Sequence, residues 1–218
     1  MEFLNNWFNY FSPSKPELKT EDTEKDGPQI LWIHGAGQSG TSFNYMRSQL
    51  PKWPSTIIEY STEIPFRDNI NTIKEQLDPE TPSFVVAHSM GGLYGLHLVE
   101  SMNIIGGVSI STPLNGLAIA DWGRYILPKY NLFQEVGRRS AVVTDAKDIS
   151  LNIPWLQVIT TDGNVPYLEG PNDGVCTIKS MTPAREDMDS IEINHTHYEI
   201  ICSDTICDIV KERYNKHL

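Results

Sequence analysis

The chain has 218 residues, which suits one well-packed domain, and its composition of 39% hydrophobic and 21% charged residues is typical of globular proteins. Lys and Arg number 17 against 28 Asp and Glu, so the formal net charge is −11. A field of this sign repels phosphate backbones, which argues against a nucleic-acid partner. Three cysteines are too few for a disulfide framework and lack zinc-site spacing, so we expect no metal and no other cofactor.

The first 28 residues are predicted to lie outside the main domain. Residues 1–11 are rich in aromatic side chains, and residues 12–28 form a polar stretch that predicts a loop or flexible tether. The aromatic segment either packs on the domain surface or makes peripheral contact with a membrane or partner, and its lack of a Lys/Arg face favours packing. The chain start lacks the features of a signal peptide, and no apolar run is long enough for a transmembrane helix. We therefore expect a cytoplasmic protein, with signal-less export as the alternative.

From residue 29 to 218, short apolar runs alternate with helical patterns, which predicts one α/β domain. Val- and Ile-rich runs predict strands at 30–33, 56–60, 84–87, 107–110, 156–160 and 191–193. Helical periodicity lies between most of them, at 42–50, 68–77, 90–102 and 198–215. Strands that alternate with helices of this length form a mainly parallel central sheet flanked by helices on both faces.

One connection is too long for a single crossover helix. Residues 113–154 separate two predicted strands, and an insertion of that length predicts a short helical cap or lid. Its large apolar residues are candidates for lining a substrate pocket, although they serve equally well to cover the sheet. The substrate-binding candidates are Trp122, Tyr125, Leu127 and Phe133.

A serine follows the third predicted strand and directly precedes a helical pattern. The residues at 87–92 are Ala-His-Ser-Met-Gly-Gly, which has the form of a nucleophile elbow. In that turn the residues two before and two after the serine must be small, and here they are Ala87 and Gly91. A serine at this point could instead be a helix N-cap, but a cap does not explain the small residues that surround it. We predict that Ser89 is a nucleophile.

A Gly-rich loop follows the first predicted strand. Enzymes with a nucleophile elbow take one oxyanion N–H from the residue after the serine and a second from such a loop, which predicts Met90 and Ala36 as backbone donors. The glycine spacing fits neither a dinucleotide-binding nor a phosphate-binding loop. His34 precedes the nucleophile, whereas the base comes last in this arrangement, so we predict a structural hydrogen-bonding role for it.

The chain order of nucleophile, acid and base places a histidine near the end of the chain. His197 and His195 both follow the last predicted strand, and His197 is favoured because it adjoins the start of the final helix. Asp173 and Asp162 both follow the preceding strand in Asp-Gly turns, and the residues alone leave the choice between them open.

These motifs resemble those of small bacterial lipases and esterases of the α/β-hydrolase superfamily, above all the Bacillus-type minimal lipases. The resemblance covers most of the chain from residue 29 onward and is carried by the residues at 34–37, 87–92, 111–116, 172–175 and 197–201. It implies that Asp173 and His197 are the acid and the base, and that Ala36 and Met90 are the oxyanion donors. It also implies a mainly parallel sheet whose first strand leads directly into the oxyanion loop.

The expected function is cleavage of carboxylic (acyl) esters of small molecules or lipids by a Ser-Asp-His triad. An acyl thioesterase or an acyltransferase can use the same triad, so both remain alternatives. The third alternative is a non-catalytic binding protein built on a hydrolase scaffold.

Overall fold

Seven strands form one sheet in the computed structural model, which describes residues 15–21, 23–126 and 129–218. They are β1 (Glu17–Glu21), β2 (Gln29–Ile33), β3 (Ser55–Glu59), β4 (Ser83–His88), β5 (Ile104–Ile110), β6 (Trp155–Thr160) and β7 (Asp189–Ile193). Their spatial order is β1-β3-β2-β4-β5-β6-β7, and every pair except β1 with β3 is parallel. The prediction of a mainly parallel sheet is confirmed, and all six predicted strands are present.

β1 corrects the prediction for the N-terminal region. Residues 12–28 were expected to be a loop or tether, but Glu17–Glu21 pairs antiparallel with β3 along its whole length. Three of its five residues are charged, so its sequence lacks the apolar run of a buried strand. Charged side chains are common on edge strands, where they prevent pairing with other chains. β2, which leads into the Gly-rich loop, is therefore preceded by another strand among the described residues and is not the first.

Helices cover both faces of the sheet. The described α-helices are α1 (Asn44–Gln49), α2 (Phe66–Gln76), α3 (Met90–Leu98), α4 (Ala118–Ile126), α5 (Asn131–Glu135), α6 (Ala141–Asp148), α7 (Ile178–Met181) and α8 (Asp204–Asn215), with 3₁₀ turns at Gly40–Phe43 and Glu199–Cys202. The single helix expected at 198–215 is interrupted at Ser203, which has extended backbone angles. Its hydroxyl accepts from the N–H of Ile206 and caps α8, so the chain restarts there as a new helix.

The apolar core consists of two layers, one on each face of the sheet. Alternate residues of the central strands point to opposite faces, so Leu31 and Val85 lie in one layer while Trp32 and Val86 lie in the other. α3 is buried on nearly all sides, which agrees with its small and apolar sequence. This packing fixes the carboxyl ends of β4, β5 and β6, the edge at which the candidate site lies.

The long connection between β5 and β6 contains three short helices, α4, α5 and α6. Its second half packs on the domain, since Val143 and Ala146 of α6 are buried in the core. The first half is exposed instead: in α4, the side chains of Trp122, Tyr125 and Ile126 are each more than 70% exposed. The predicted lid therefore has one half that belongs to the core and one that carries an apolar outer surface.

Within the described ranges, none of the helices combines the length and the hydrophobicity needed to cross a bilayer. Residues 1–11, the segment expected to pack on the surface or contact a membrane, lie outside the described residues.

Candidate active site

Ser89 occupies a strained turn between β4 and α3. Its φ of 52° and ψ of −125° lie in a region that residues with a side chain rarely adopt. A Cβ at Gly91 would lie 2.2 Å from the carbonyl oxygen of Ile33, and one at Gly92 would lie 2.0 Å from Oγ1 of Thr112. Both positions therefore require glycine, and the small residue predicted two after the serine has a direct steric cause.

The structure brings the three residues expected to form a triad into hydrogen-bond contact. Nε2 of His197 lies 3.0 Å from Oγ of Ser89, and Nδ1 of His197 lies 2.7 Å from Oδ2 of Asp173. His197 and Asp173 are each about 1% exposed. Because a carboxylate can only accept, Nδ1 carries the proton and donates to Asp173, which leaves the lone pair of Nε2 facing the serine hydroxyl.

The carboxylate of Asp173 accepts hydrogen bonds both from its own turn and from neighbouring elements. Oδ1 of Asp173 accepts from the N–H groups of Val175 and Cys176, at 2.9 and 2.7 Å. Oδ2 accepts from His197 and from the hydroxyl of Thr160, the last residue of β6. Burial alone would raise the pKa of Asp173, but the hydrogen bonds from His197 and Thr160 and the backbone outweigh it and lower that pKa. The carboxylate is therefore held ionised.

The rival acid and base lie in the neighbouring loop. Asp162 is exposed, and its backbone N–H donates to the backbone carbonyl of His195. The hydrogen bonds to Ser89 and between acid and imidazole involve His197 and Asp173 instead. A backbone hydrogen bond also connects His197 with Asp173, since the N–H of His197 donates to the carbonyl oxygen of Asp173.

The predicted oxyanion donors flank the serine. A Cβ at Gly35 would lie 3.1 Å from Cβ of Ser89, so the Gly-rich loop approaches Ser89 closely. Met90 is the first residue of α3, where a backbone N–H has no acceptor within its own helix. Among the described residues, no hydrogen bond satisfies the N–H of Ala36 or Met90.

The side chain of His34 holds the Gly-rich loop that follows β2. Its Nδ1 lies 2.8 Å from the carbonyl oxygen of Gly35, while its Nε2 accepts from the N–H of Tyr60. The ring stacks on the ring of Tyr60, with the centroids 4.4 Å apart. Oε2 of Glu59 accepts from the N–H of Gly40 over 3.0 Å, which ties the Gly-rich loop to the end of β3.

His88 links the Gly-rich loop to His197. Its Nε2 lies 2.8 Å from the backbone carbonyl oxygen of His197 and its Nδ1 lies 2.9 Å from Oε1 of Gln38, so the single N–H of the neutral ring donates to one of these two acceptors. Gln38 in turn accepts from the N–H of Gly35. Burial, reinforced by the neighbouring His197, lowers the pKa of His88 to about 3, so this imidazole is neutral.

The four substrate-binding candidates have different positions. Trp122 is 75% exposed and lines a cleft of about 290 Å³ together with Tyr167 and Thr177, next to the turn that contains Asp173. Tyr125 is exposed on the same helix. Phe133 packs beneath α4, where a Cβ at Gly123 would lie 2.6 Å from its ring. Leu127 lies outside the described residues.

Three residues of this network were not predicted from the sequence: Gln38, Thr160 and Ser111. Thr160 and Ser111 each lie at the carboxyl end of a strand that was predicted. Because parallel strands present their carboxyl ends at one edge, a search for polar residues at strand ends would have found both.

One group of potential metal ligands exists among the described residues, formed by Asp173, Cys176 and His197. The carboxylate and the imidazole are already hydrogen-bonded to each other, and burial raises the pKa of the Cys176 thiol. A protonated thiol is a poor metal ligand, so these three residues suit hydrogen bonding better than metal binding.

No protein-family model and no curated protein sequence matches the chain. Solved structures do match it. The mature form of a lipase from Bacillus licheniformis has a TM-score of 0.73 and 16% identity, over 91% of this chain and 98% of that chain. A lipase-esterase related protein from Clostridium acetobutylicum has a TM-score of 0.63 and 13% identity, over 94% and 100%.

A third similar structure is the Vlm2 thioesterase domain, with a TM-score of 0.56 and 13% identity over 94% of this chain and 99% of that domain. Identities this low reflect similarity of fold, and the match extends over nearly the whole of each chain. The chain has the α/β-hydrolase fold.

Proposed function

We propose that this protein is a serine hydrolase that cleaves carboxylic (acyl) esters. The observation that carries the proposal is the hydrogen-bonded row of Ser89, His197 and Asp173, with the serine on a strained turn at the sheet edge. A buried imidazole that lies between a carboxylate and a hydroxyl is placed to remove the hydroxyl proton.

In this mechanism Oγ of Ser89 attacks the ester carbonyl while Nε2 of His197 takes its proton. The ionised Asp173 keeps the other proton of the imidazole on Nδ1 and stabilises the cation that forms. The imidazolium then gives its proton to the leaving alcohol, and an acyl-enzyme remains. Water, activated by the same imidazole, attacks the acyl group and regenerates the serine.

The negative charge that develops on the carbonyl oxygen needs fixed donors. The N–H groups of Ala36 and Met90 suit this role, because Met90 directly follows Ser89, Ala36 follows the glycine that approaches Ser89, and neither N–H is used by the described residues. The N-terminal end of α3 adds a favourable dipole. Removal of one such donor typically costs about 10²–10³ in rate.

The acyl group would lie against the apolar surface of α4. Trp122 and Tyr125 are exposed there, and the cleft beside Trp122 adjoins the turn that carries the acid.

Hydrolysis of a panel of nitrophenyl esters, from short to long acyl chains, tests the proposal. We expect turnover by the wild-type chain and its loss in Ser89→Ala. The matched control is Ser101→Ala, which removes an exposed hydroxyl after α3 and should leave turnover unchanged. Equal turnover by wild type and Ser89→Ala would refute the proposed nucleophile.

A thioesterase is the second candidate, because one of the similar structures is named as a thioesterase domain. Thioesters with the same acyl chains as the nitrophenyl esters separate the two activities. A thioester preference of more than about tenfold in kcat/KM would replace the ester proposal. Product analysis with added alcohol distinguishes an acyltransferase, which would form a new ester in place of the free acid.

A further inference from the structure

Two buried hydroxyl groups form a row that ends at the Asp173 carboxylate. Oγ1 of Thr160 lies 2.5 Å from Oδ2 of Asp173, and Oγ of Ser111 lies 2.8 Å from Oγ1 of Thr160. Ser111 and Thr160 are fully buried and Asp173 is 1% exposed, so bulk water does not compete for these contacts. The row comes from the carboxyl ends of β5 and β6, two neighbouring parallel strands.

Donor counting fixes the direction of both hydrogen bonds. An ionised carboxylate only accepts, so the hydroxyl of Thr160 must give its one proton to Asp173. Oγ1 of Thr160 can then only accept from Ser111, which therefore donates. The row runs from Ser111 through Thr160 to Asp173, and each bond polarises the next in the same direction.

The Thr160 bond completes the coordination of the carboxylate. Oδ1 accepts from two backbone N–H groups, and Oδ2 accepts from Thr160 and His197. Four donors around two oxygens resist rotation of the carboxylate. Without the hydroxyl of Thr160, Oδ2 would keep the hydrogen bond from His197 but lose its second donor, and no water could replace it in this buried site.

The backbone of Ser111 gives independent support for the importance of its hydroxyl. Its φ is 53°, in the left-handed region where glycine is favoured, and this φ is nearly the same as that of Ser89 one strand away. A non-glycine residue there costs free energy of order 1 kcal/mol or more. The hydrogen bond from Ser111 to Thr160 is a contact that glycine at this position could not make.

We propose that Thr160, oriented by Ser111, is a positioning residue that holds the Asp173 carboxylate in the orientation in which Oδ2 accepts from Nδ1 of His197. This inference rests on the proposed function, since it assigns the row a part in the same reaction. Neither hydroxyl touches the substrate, so both act through Asp173.

The kinetic test compares Thr160→Val, which removes the hydroxyl at nearly constant volume, with Thr160→Ser, which keeps it. We expect kcat of Thr160→Val to fall about tenfold with KM within about twofold, because a hydrogen bond to a charged group is lost. Thr160→Ser should restore most of the rate. Ser111→Ala should lower kcat by a smaller factor, about threefold, since it removes only the outer bond.

The pH profile adds a readout that a purely structural role would not move. The bond from Thr160 is one of the causes that lower the pKa of Asp173, so its loss raises that pKa. The loss of kcat/KM at the low-pH end of the profile, where the Asp173 carboxylate takes up its proton, should therefore begin at higher pH in Thr160→Val. The matched control is Thr56→Val, which removes a buried threonine hydroxyl on β3 that bonds Gln29 and not the acid.

A second test does not need turnover. In the full chain, the proton on Nδ1 of His197 should give a far-downfield NMR resonance that is absent in His197→Ala. We expect this resonance to shift or broaden in Thr160→Val and to stay in place in Thr56→Val.

The outcomes separate the two proposals. Absence of Ser89-dependent turnover in the wild type would overturn the proposed function, while the resonance would still report on the carboxylate. The positioning role would be overturned if Thr160→Val had the same kcat, pH profile and NMR resonance as the wild type. An equal loss of kcat in Thr160→Ser and Thr160→Val would also overturn it, because the hydroxyl would then not be the cause.

Discussion

The imidazole of His34 donates from Nδ1 to the carbonyl oxygen of Gly35, 2.8 Å away. The C=O and N–H of a trans peptide point in opposite directions. Fixing the carbonyl of Gly35 on one side therefore fixes the N–H of Ala36 on the other, and this N–H is one of the two proposed oxyanion donors. The histidine that was expected to be structural thus has a defined task at the edge of the site.

The variant His34→Phe tests this relationship, because it keeps an aromatic ring stacked on Tyr60 but removes the ring N–H. We expect kcat to fall about tenfold with little change in KM, since the donor is loosened and not deleted. Steady-state kinetics on one nitrophenyl ester measures both constants. A rise in KM with kcat unchanged would indicate that the loop binds substrate and does not stabilise the oxyanion.

The variant Gly91→Ala tests the steric demand of the elbow. Its methyl group would lie 2.2 Å from the carbonyl oxygen of Ile33 and 2.5 Å from that of His34, so backbone must move. We expect a loss of about 1–3 kcal/mol in the free energy of unfolding, typical of overpacking, and a loss of activity.

Chemical denaturation measures that loss. The control is Gly37→Asn, where a Cβ meets no atom within 4 Å and asparagine tolerates the φ of +66°. Equal stability of Gly91→Ala and the wild type would show that the turn accommodates a methyl group and does not require glycine at this position.

The carboxyl group of Glu135 makes stability depend on pH. It is 8% exposed and accepts from the N–H of Phe66 at the start of α2. Burial is the largest cause that raises its pKa, from 4.5 to about 7, with the nearby Asp68 adding to it. Because the folded state binds this proton more tightly than the unfolded chain, stability is lost as pH rises from about 4.5 to about 7.

The free energy of unfolding of Glu135→Gln, relative to that of the wild type, should therefore increase between pH 5 and pH 8. Since one pKa unit corresponds to 1.36 kcal/mol, the gain is at most about 3 kcal/mol. Urea denaturation of both proteins at the two pH values measures it. Glu75→Gln, on the exposed side of α2, is the control. A difference between Glu135→Gln and the wild type that does not change with pH would rule out this assignment.

Trp122 tests the proposed acyl surface. Its side chain is 75% exposed beside the cleft, so Trp122→Ala should leave the fold intact. We expect kcat/KM for long-chain nitrophenyl esters to fall about tenfold, because apolar contact with the acyl chain is lost. Turnover of the acetate ester is the internal control and should stay unchanged. A uniform loss across all chain lengths would place the effect at the reacting carbonyl instead.

The sequence predicted those parts of the fold that periodicity encodes. Six strands and the elbow at Ser89 follow from apolar runs and small residues, which are local signals. β1 was missed because an edge strand needs no apolar run. The break at Ser203 was missed because its apolar neighbours continue the helical spacing on both sides.

The residues of the candidate site were predictable where the residue type needed for the chemistry stands at the expected place in the chain order of nucleophile, acid and base. Local sequence did not decide between Asp173 and Asp162, since both occupy Asp-Gly turns. The turn around Asp173 differs in its buried donors, which come from Thr160 and His197 on other elements. Their positions at strand ends make Thr160 and Ser111 candidates from sequence alone, but their contacts with Asp173 depend on tertiary structure and could not be predicted.

Reaction of the full chain with a fluorophosphonate probe, followed by intact mass measurement and peptide mapping, tests the central claim most directly. The account predicts one adduct per chain, located on Ser89, with labelling strongly reduced in His197→Ala and absent in Ser89→Ala. An unlabelled wild-type chain, or an adduct on another serine that persists in Ser89→Ala, would contradict it.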